Sequence, residues 1–164
     1  MRCLLLVCLL AACDDDVDLT GVYRVDEHVA SSPCGADEPV TGGPAYLKFR
    51  KDAFFGGEIF VYDECTDAAA TDCQSAGGLF DGFIEPIDDG WRNFVSYSSN
   101  SGLNCSLGIN DATAILSGTK LVIDSNEYRE ALELPEAQCT AEEAEKRGTD
   151  MPCEMHERIT ATTL

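Results

Sequence analysis

The feature that most constrains the fold is an alternation of apolar and polar residues that continues from Leu19 to the end of the chain. Successive side chains of a β-strand point to opposite faces, so a period of two indicates strands with one buried face. We count about eight such runs bounded by turn residues, which predicts an all-β fold of antiparallel strands. The runs are Gly21–Val29, Ala45–Lys51, Glu58–Tyr62, Leu79–Ile87, Trp91–Ser98, Asn110–Leu116, Thr119–Ser125 and Glu154–Leu164.

Two connections between these runs are typical of hairpins. Asp88-Asp89-Gly90 follows the fourth run, and Ser117-Gly118 follows the sixth. Aspartate and glycine tolerate the positive φ angles that tight turns require. Hairpin-linked strands predict one antiparallel domain over residues 19–164, either an up-and-down barrel or a sandwich. Closure favours the barrel because it leaves no strand edge exposed.

One short helix interrupts the strand pattern near residues 140–147. Thr140 can cap its first turn, and Glu143 three residues later completes a capping box. Acidic residues come first and basic residues last, as the helix dipole favours, and Gly148 ends the helix. Because it is short and charged, we expect a surface helix. Residues 31–44 and 66–78 are predicted to be loops.

The first thirteen residues have the order of an export signal: Arg2, an apolar run, and small residues before Cys13. The run is shorter than the roughly 18 residues of a membrane span. Leu10-Ala11-Ala12-Cys13 resembles the lipobox of bacterial lipoproteins. The resemblance implies that residues 1–12 are a signal peptide cut before Cys13. It also implies that the Cys13 thiol carries a diacylglycerol and that the new amino group is acylated, as by palmitate.

This resemblance predicts an envelope protein held in a membrane by its lipid and facing the periplasm or the cell surface. Residues 13–18 would form the lipidated cysteine and an acidic tether. Twelve residues is short for a signal, so either the signal is minimal or the true start codon lies upstream of Met1. The sequence does not distinguish the inner from the outer membrane.

Cysteine usage supports export independently. Of nine cysteines, two lie in the signal and Cys13 would be lipidated, which leaves six. An even number is typical of disulfides in an oxidising compartment. No Cys-x-x-Cys pair is present, so we predict no zinc site. The six are Cys34, Cys65, Cys73, Cys105, Cys139 and Cys153.

Six cysteines allow fifteen connectivities, and the sequence cannot choose among them. Short separations favour a bond within one loop and another across the helix, and the third pair follows by elimination. The expected pairs are Cys65–Cys73, Cys139–Cys153 and Cys34–Cys105.

The start of the first strand, Gly21-Val22-Tyr23, resembles the Gly-x-Trp motif that opens the lipocalin barrel, with Tyr in place of Trp. The resemblance implies an up-and-down barrel in which a late basic residue, here Arg158, packs on Tyr23. The helix departs from the lipocalin pattern because it precedes the last strand.

The sequence carries no motif for catalysis. Gly-x-Ser-x-Gly, phosphate-binding and calcium-loop patterns are absent from it, and His28 and His156 are its only histidines. Paired acids such as Asp88/Asp89 and Glu142/Glu143 are expected by chance among 30 acidic residues. We therefore predict a protein that is not an enzyme and needs no cofactor or metal.

Charge limits the partners. With 30 acidic and 11 basic residues the net charge is -19, which repels phosphate backbones and disfavours nucleic-acid binding. Aromatic residues recur along the predicted strands, where they build a core or line a barrel cavity. We therefore expect the β domain to bind a small apolar ligand. The alternative is a protein that binds an envelope partner in a structural or inhibitory role.

Overall fold

A computed structural model describes residues 17–54, 56–76 and 82–164. The predicted signal peptide 1–12, the predicted lipidation site Cys13 and Asp14–Asp16 lie outside the described residues. Within these ranges, ten strands form one antiparallel sheet, with a single short α-helix, which confirms the predicted all-β fold. The strands are β1 (Gly21–Ser31), β2 (Glu38–Pro39), β3 (Tyr46–Phe54), β4 (Gly57–Cys65), β5 (Cys73–Ser75), β6 (Glu85–Ile87), β7 (Gly90–Ser101), β8 (Asn104–Ser117), β9 (Lys120–Glu133) and β10 (Cys153–Thr163).

The strand order is that of an up-and-down sheet. It runs β5-β4-β3-β1-β10-β9-β8-β7-β6, with β2 also paired to β1, so the first long strand lies beside the last. The sheet is open and does not close into a complete barrel. Its two ends meet at an antiparallel bridge between Phe60 and Phe83, whose backbone hydrogen bonds measure 3.0 and 2.8 Å. The sheet therefore curves around an interior that it almost encloses.

The interior is packed with aromatic rings. The Tyr23 and Phe49 rings meet edge to face at 5.7 Å between centroids, and Phe60 and Trp91 do so at 4.9 Å. Such pairs add to the free energy gained by burying apolar area. Smaller residues from β8 to β10 fill the space between the rings. The buried members are Leu19, Tyr23, Leu47, Phe49, Phe60, Phe83, Trp91, Ala112, Ala114, Leu121, Ile123, Ile159 and Ala161.

Residues 17–20 cross one end of this interior, which we call the closed end. Leu19 is fully buried there. The Tyr23 hydroxyl donates a hydrogen bond to the Leu19 carbonyl at 2.8 Å, and the Trp91 indole N–H donates to the Val17 carbonyl at 2.6 Å. Val17, within the predicted tether of residues 13–18, packs against the core, and residues 13–16 of that tether lie outside the described residues.

The predicted helix is confirmed as α1 (Ala141–Arg147). Its cap also forms, because the Thr140 hydroxyl accepts a hydrogen bond from the Glu143 amide at 3.2 Å. Ala144 is fully buried against the outer face of the sheet, so the helix covers an apolar surface. This second cluster comprises Cys105, Leu107, Ile109, Cys139, Ala144 and Met151, with Tyr128, Leu132 and Leu134 partly buried beside it.

The strands of the β7–β8 hairpin extend beyond the predicted runs. The serine-rich segment that follows Ser98 continues the strand to Ser101, where it pairs with Asn104. The turn residues are Gly102 and Leu103, and Gly102 has a φ of 70°. Short polar side chains conceal the period of two, which is why the sequence pattern ends β7 too early and begins β8 too late.

The other two turns differ from the prediction by one residue. In the β8–β9 hairpin, Ser117 pairs with Lys120, so the turn residues are Gly118 and Thr119. Gly118 has a φ of 61°, which suits glycine. Gly90 belongs to β7, where a Cβ would lie 2.0 Å from the Ala114 carbonyl oxygen. Its role is to allow close contact between strands.

The six cysteines form three disulfides, and Cys65–Cys73 is the pair expected from the sequence. The other two expected pairs, Cys139–Cys153 and Cys34–Cys105, are wrong. The pairing of β1 with β10 brings the loop after β1 to the start of β10, and α1 begins above Cys105. Sheet topology therefore overrides sequence separation. The observed bonds are Cys34–Cys153 and Cys105–Cys139.

The contact that the lipocalin resemblance implies does not form. Arg158 points outward and donates to Asp124 at 2.9 Å, with half of its side chain exposed. The Tyr23 ring is buried on the inner face against Phe49. Tyr23 and Arg158 therefore lie on opposite faces of the sheet.

Candidate functional site

A cavity of about 370 Å³ lies at the end of the interior away from residues 17–20. We call this the cavity end. Strand β7 shows the relation, because its inner face runs from Trp91 at the closed end to Tyr97 in the cavity wall. The lining residues are Tyr62, Ala76, Phe83, Asn93, Tyr97, Asn110, Ala112, Ile123, Ser125, Glu127, Met155 and Glu157.

The inner face becomes polar towards the cavity mouth. Along β9 the inward series is Leu121, Ile123, Ser125 and Glu127, of which the first two belong to the core. Asn110 of β8 lies opposite Glu127, and Glu157 of β10 lies opposite Ser125. Polar side chains buried in the middle of the sheet without partners would cost free energy, whereas polar side chains at an open end can reach water or a ligand. The gradient therefore marks where the packed interior stops and the site begins.

Glu127 is held by Tyr97. The Tyr97 hydroxyl donates to Glu127 Oε1 at 2.8 Å. Burial, reinforced by this hydrogen bond, raises the pKa of Tyr97, so its hydroxyl stays protonated and remains a donor. Gly108 makes room for the ring, because a Cβ there would lie 2.2 Å from Tyr97 Cζ. The Arg129 guanidinium lies 6.0 Å from the ring centroid.

Glu157 is held by His28. The two side chains meet at 2.6 Å between His28 Nε2 and Glu157 Oε1, and the imidazole is only 10% exposed. Gly43 lies against the imidazole, since a Cβ there would come within 2.6 Å of His28 Nδ1. Among the described residues, His28 Nδ1 has no hydrogen-bond partner. The loop before β3 thus fixes a histidine–carboxylate pair beside the cavity.

This pair does not extend to a catalytic triad within the described residues. The one serine lining the cavity, Ser125, bonds through its hydroxyl to Asn110 Oδ1 at 3.2 Å. No serine hydroxyl in the described ranges bonds to His28 or His156. The arrangement can bind and orient polar groups, but the described residues supply no nucleophile activated by a histidine.

His156 lies on the outer face, away from the cavity. Its Nδ1 is 2.8 Å from Asp37 Oδ1 and its Nε2 is 3.4 Å from Asp124 Oδ2. The hydrogen bond with Asp37 is the main cause that raises the pKa of His156, and the same bond lowers the pKa of Asp37. His156 therefore ties the loop after β1 to the sheet.

The paired acidic residues named in the sequence analysis lie in a turn and at a helix start, outside the cavity. Asp88 and Asp89 form the β6–β7 turn, and Glu142 and Glu143 occupy the first turn of α1. The outward serines of β7 hold the helix: Ser96 donates to Glu145 at 2.8 Å. Over the ranges that the structure describes, no cluster of three or more His, Cys, Asp or Glu side chains is arranged to hold a metal ion.

Sequence reasoning missed the polar residues of the cavity. Their signal is visible in hindsight in β9, where the inward series changes from apolar to polar between Ile123 and Ser125. The signal is weak in the sequence because the predicted strand ended at Ser125, one inward residue before Glu127.

The chain has no match among protein-family models, curated proteins or solved structures. Within the described ranges, no helix has both the length and the hydrophobicity needed to cross a bilayer.

Proposed function

We propose that this chain is a non-enzymatic, lipid-anchored protein of the bacterial cell envelope that binds a small ligand in the cavity of its curved sheet. The observation that carries the proposal is the cavity, since a recess with apolar walls and a few placed polar groups is typical of small-molecule sites. Its volume of about 370 Å³ suits a small ligand. Tyr62, Phe83 and Ile123 supply walls against which an apolar body can pack.

The anchor and the compartment are supported by cysteine chemistry. Leu10-Ala11-Ala12-Cys13 resembles a lipobox, and the six later cysteines pair in three disulfides. Disulfides persist in oxidising compartments, such as the periplasm and the cell surface. Several acyl chains on Cys13 would hold the protein in the membrane for practical purposes permanently.

Residues 17–20 give this anchored protein a preferred orientation. Val17 is bound to Trp91 at the closed end, and only four residue steps separate it from Cys13. Four residues span at most about 14 Å. A lipid on Cys13 would therefore keep the closed end near the bilayer, with the cavity mouth directed away from it, where a soluble ligand can enter.

The ligand test is native mass spectrometry of the chain recovered from an oxidising compartment. Ala76 is exposed and lines the cavity, so Ala76→Trp should block it, whereas Ala137→Trp places the same ring at an exposed site elsewhere. We expect a small molecule bound to the native chain and to Ala137→Trp, and a bare mass for Ala76→Trp. The bound molecule should be chemically unchanged when it is released from the protein. Equal occupancy of both variants would contradict the proposed site by placing the ligand outside the cavity. A bare native chain would contradict the ligand and favour the partner-binding alternative.

The anchor test compares two cysteines of the leader. Cys13→Ser should move the protein from the membrane fraction to the soluble fraction, because the acceptor thiol is lost. Cys8→Ser, in the predicted signal, should leave it in the membrane. Membrane retention of Cys13→Ser would overturn the anchor without affecting the cavity.

A further inference from the structure

We propose that the cavity selects a small organic cation, such as a protonated amine on an aromatic or aliphatic body. This inference rests on the cavity being the ligand site proposed above. The lining includes two carboxylates, Glu127 and Glu157, and no lysine or arginine among the described residues. A ligand cation would place an opposite charge beside both carboxylates, whose hydrogen-bond partners among the described residues are Tyr97 and His28.

The two carboxylates are spaced to share one cationic group. Glu157 on β10 lies opposite Ser125 on β9, and Glu127 is two residues further along the same face of β9. The Cα atoms of such diagonal neighbours lie about 7–8 Å apart, so an ammonium group between the two side chains can bond to both carboxylates. The neighbouring Asn110 and Ser125 bond to each other and add further polar atoms to this wall.

Each carboxylate keeps one oxygen for a ligand. Glu127 Oε1 accepts from Tyr97, and Glu157 Oε1 bonds to His28 Nε2. No hydrogen bond from a described residue reaches the Oε2 atom of either side chain. The nearby cation Arg129 is directed elsewhere, since it lies over the Tyr97 ring and pairs with Glu154 at 3.7 Å.

The walls suit the body of such a molecule. The rings of Tyr62 and Phe83 lie 6.5 Å apart with 29° between their planes, and both line the cavity. Aromatic faces attract cations and pack against apolar groups. The net charge of -19 adds a long-range field that concentrates cations near the protein.

The test compares two probes with the same phenylethyl body, 2-phenylethylamine and 2-phenylethanol, by isothermal titration of the full chain recovered from an oxidising compartment. We expect the amine to bind at least about tenfold more tightly, since one charge-assisted contact is worth about that factor. Glu127→Gln and Glu157→Gln should each weaken amine binding by about tenfold and leave alcohol binding unchanged. Glu136→Gln, at an exposed position outside the cavity, is the matched control and should change neither.

Salt provides a measurement that needs no variant, because raising ionic strength should weaken binding of the amine and not of the alcohol. Equal affinities, with no effect of either cavity variant or of salt, would overturn the cationic ligand while leaving the cavity as a site. If neither probe binds, but a co-purified molecule is present on the native chain and absent from Ala76→Trp, the cationic ligand is likewise overturned and the cavity remains a site. Failure of both probes and a bare native mass would overturn the proposed function as well.

Discussion

The two ends of the sheet interior are built differently. At the closed end, residues 17–20 cover Tyr23, Trp91 and their neighbours, and the polar atoms of these rings are satisfied by main-chain carbonyls. At the cavity end, Tyr97 and His28 are directed at carboxylates whose other oxygens accept no hydrogen bond from a described residue. The same strands supply both ends, so the difference lies in which inward residues each strand carries. The closed end is built for stability, and the cavity end keeps polar groups that a packed core would exclude.

The largest expected effect is at the core near the closed end. Phe60 is fully buried, packs edge to face on Trp91 and forms the bridge to Phe83. Phe60→Ala should lower the free energy of unfolding by about 3–5 kcal/mol, because it removes a large ring and leaves a cavity. Urea unfolding followed by circular dichroism measures this. A loss below about 1 kcal/mol, the scale of an ordinary substitution, would show that the ends of the sheet are not held together there.

A smaller loss is expected for Trp91→Phe. The change keeps an aromatic ring but removes the indole N–H that donates to Val17 at 2.6 Å. Loss of one such bond should cost about 1 kcal/mol, measured by the same unfolding experiment. Amide exchange at residues 17–20 should also become faster in this variant. Unchanged exchange there would contradict the role of Trp91 in closing this end.

At the cavity end, Tyr97→Phe should have a smaller effect on stability than on binding. It removes the bond to Glu127 at 2.8 Å and leaves the ring against Gly108. We expect the free energy of unfolding to fall by about 0.5 kcal/mol, since the exposed mouth lets water replace the hydroxyl. Titration with 2-phenylethylamine should show altered affinity. A stability loss as large as that of Phe60→Ala would remove the contrast between the two ends.

The smallest effect concerns the outer face near the cavity end, where His156 binds Asp37. The raised pKa of His156 gives stability that is fully present below its ordinary value and is lost as pH rises through the folded value. The lowered pKa of Asp37 gives stability present above its ordinary value and lost as pH falls. The contact between His156 and Asp37 should therefore contribute most to stability between about pH 4 and 6.5.

His156→Gln should lower the thermal midpoint between about pH 4 and 6.5 and flatten its fall above and below that range, because the contact that is lost there in the native chain is already absent. The matched control is His28→Gln, which changes the other histidine and leaves the Asp37 contact intact. An unchanged pH profile in His156→Gln would show that the contact contributes nothing to folding.

The sequence predicted the features that depend on local pattern. The period of two identifies the strands, Thr140 and Glu143 identify the helix start, and the short separation of Cys65 from Cys73 identifies one disulfide. The features it missed depend on which strands become neighbours. Cys34 meets Cys153 only because β1 lies beside β10, and that pairing depends on the strand order of the whole sheet.

The cavity was missed for the same reason. Glu127 and Glu157 are two carboxylates among 30 acidic residues, and nothing near them in sequence distinguishes them. They become a site when the register of β9 and β10 places both on the inner face beside Ser125. The disulfide count and the all-β pattern limit where such a site can form, but they do not select its residues.

Hydrogen exchange with mass spectrometry tests the contrast between the two ends most directly. The native chain would be measured alone and with saturating 2-phenylethylamine or 2-phenylethanol. We expect slower amide exchange around Tyr97, Glu127 and Glu157, and no change at residues 17–23. Protection at residues 17–23, or only at the outer face beneath α1, would contradict it.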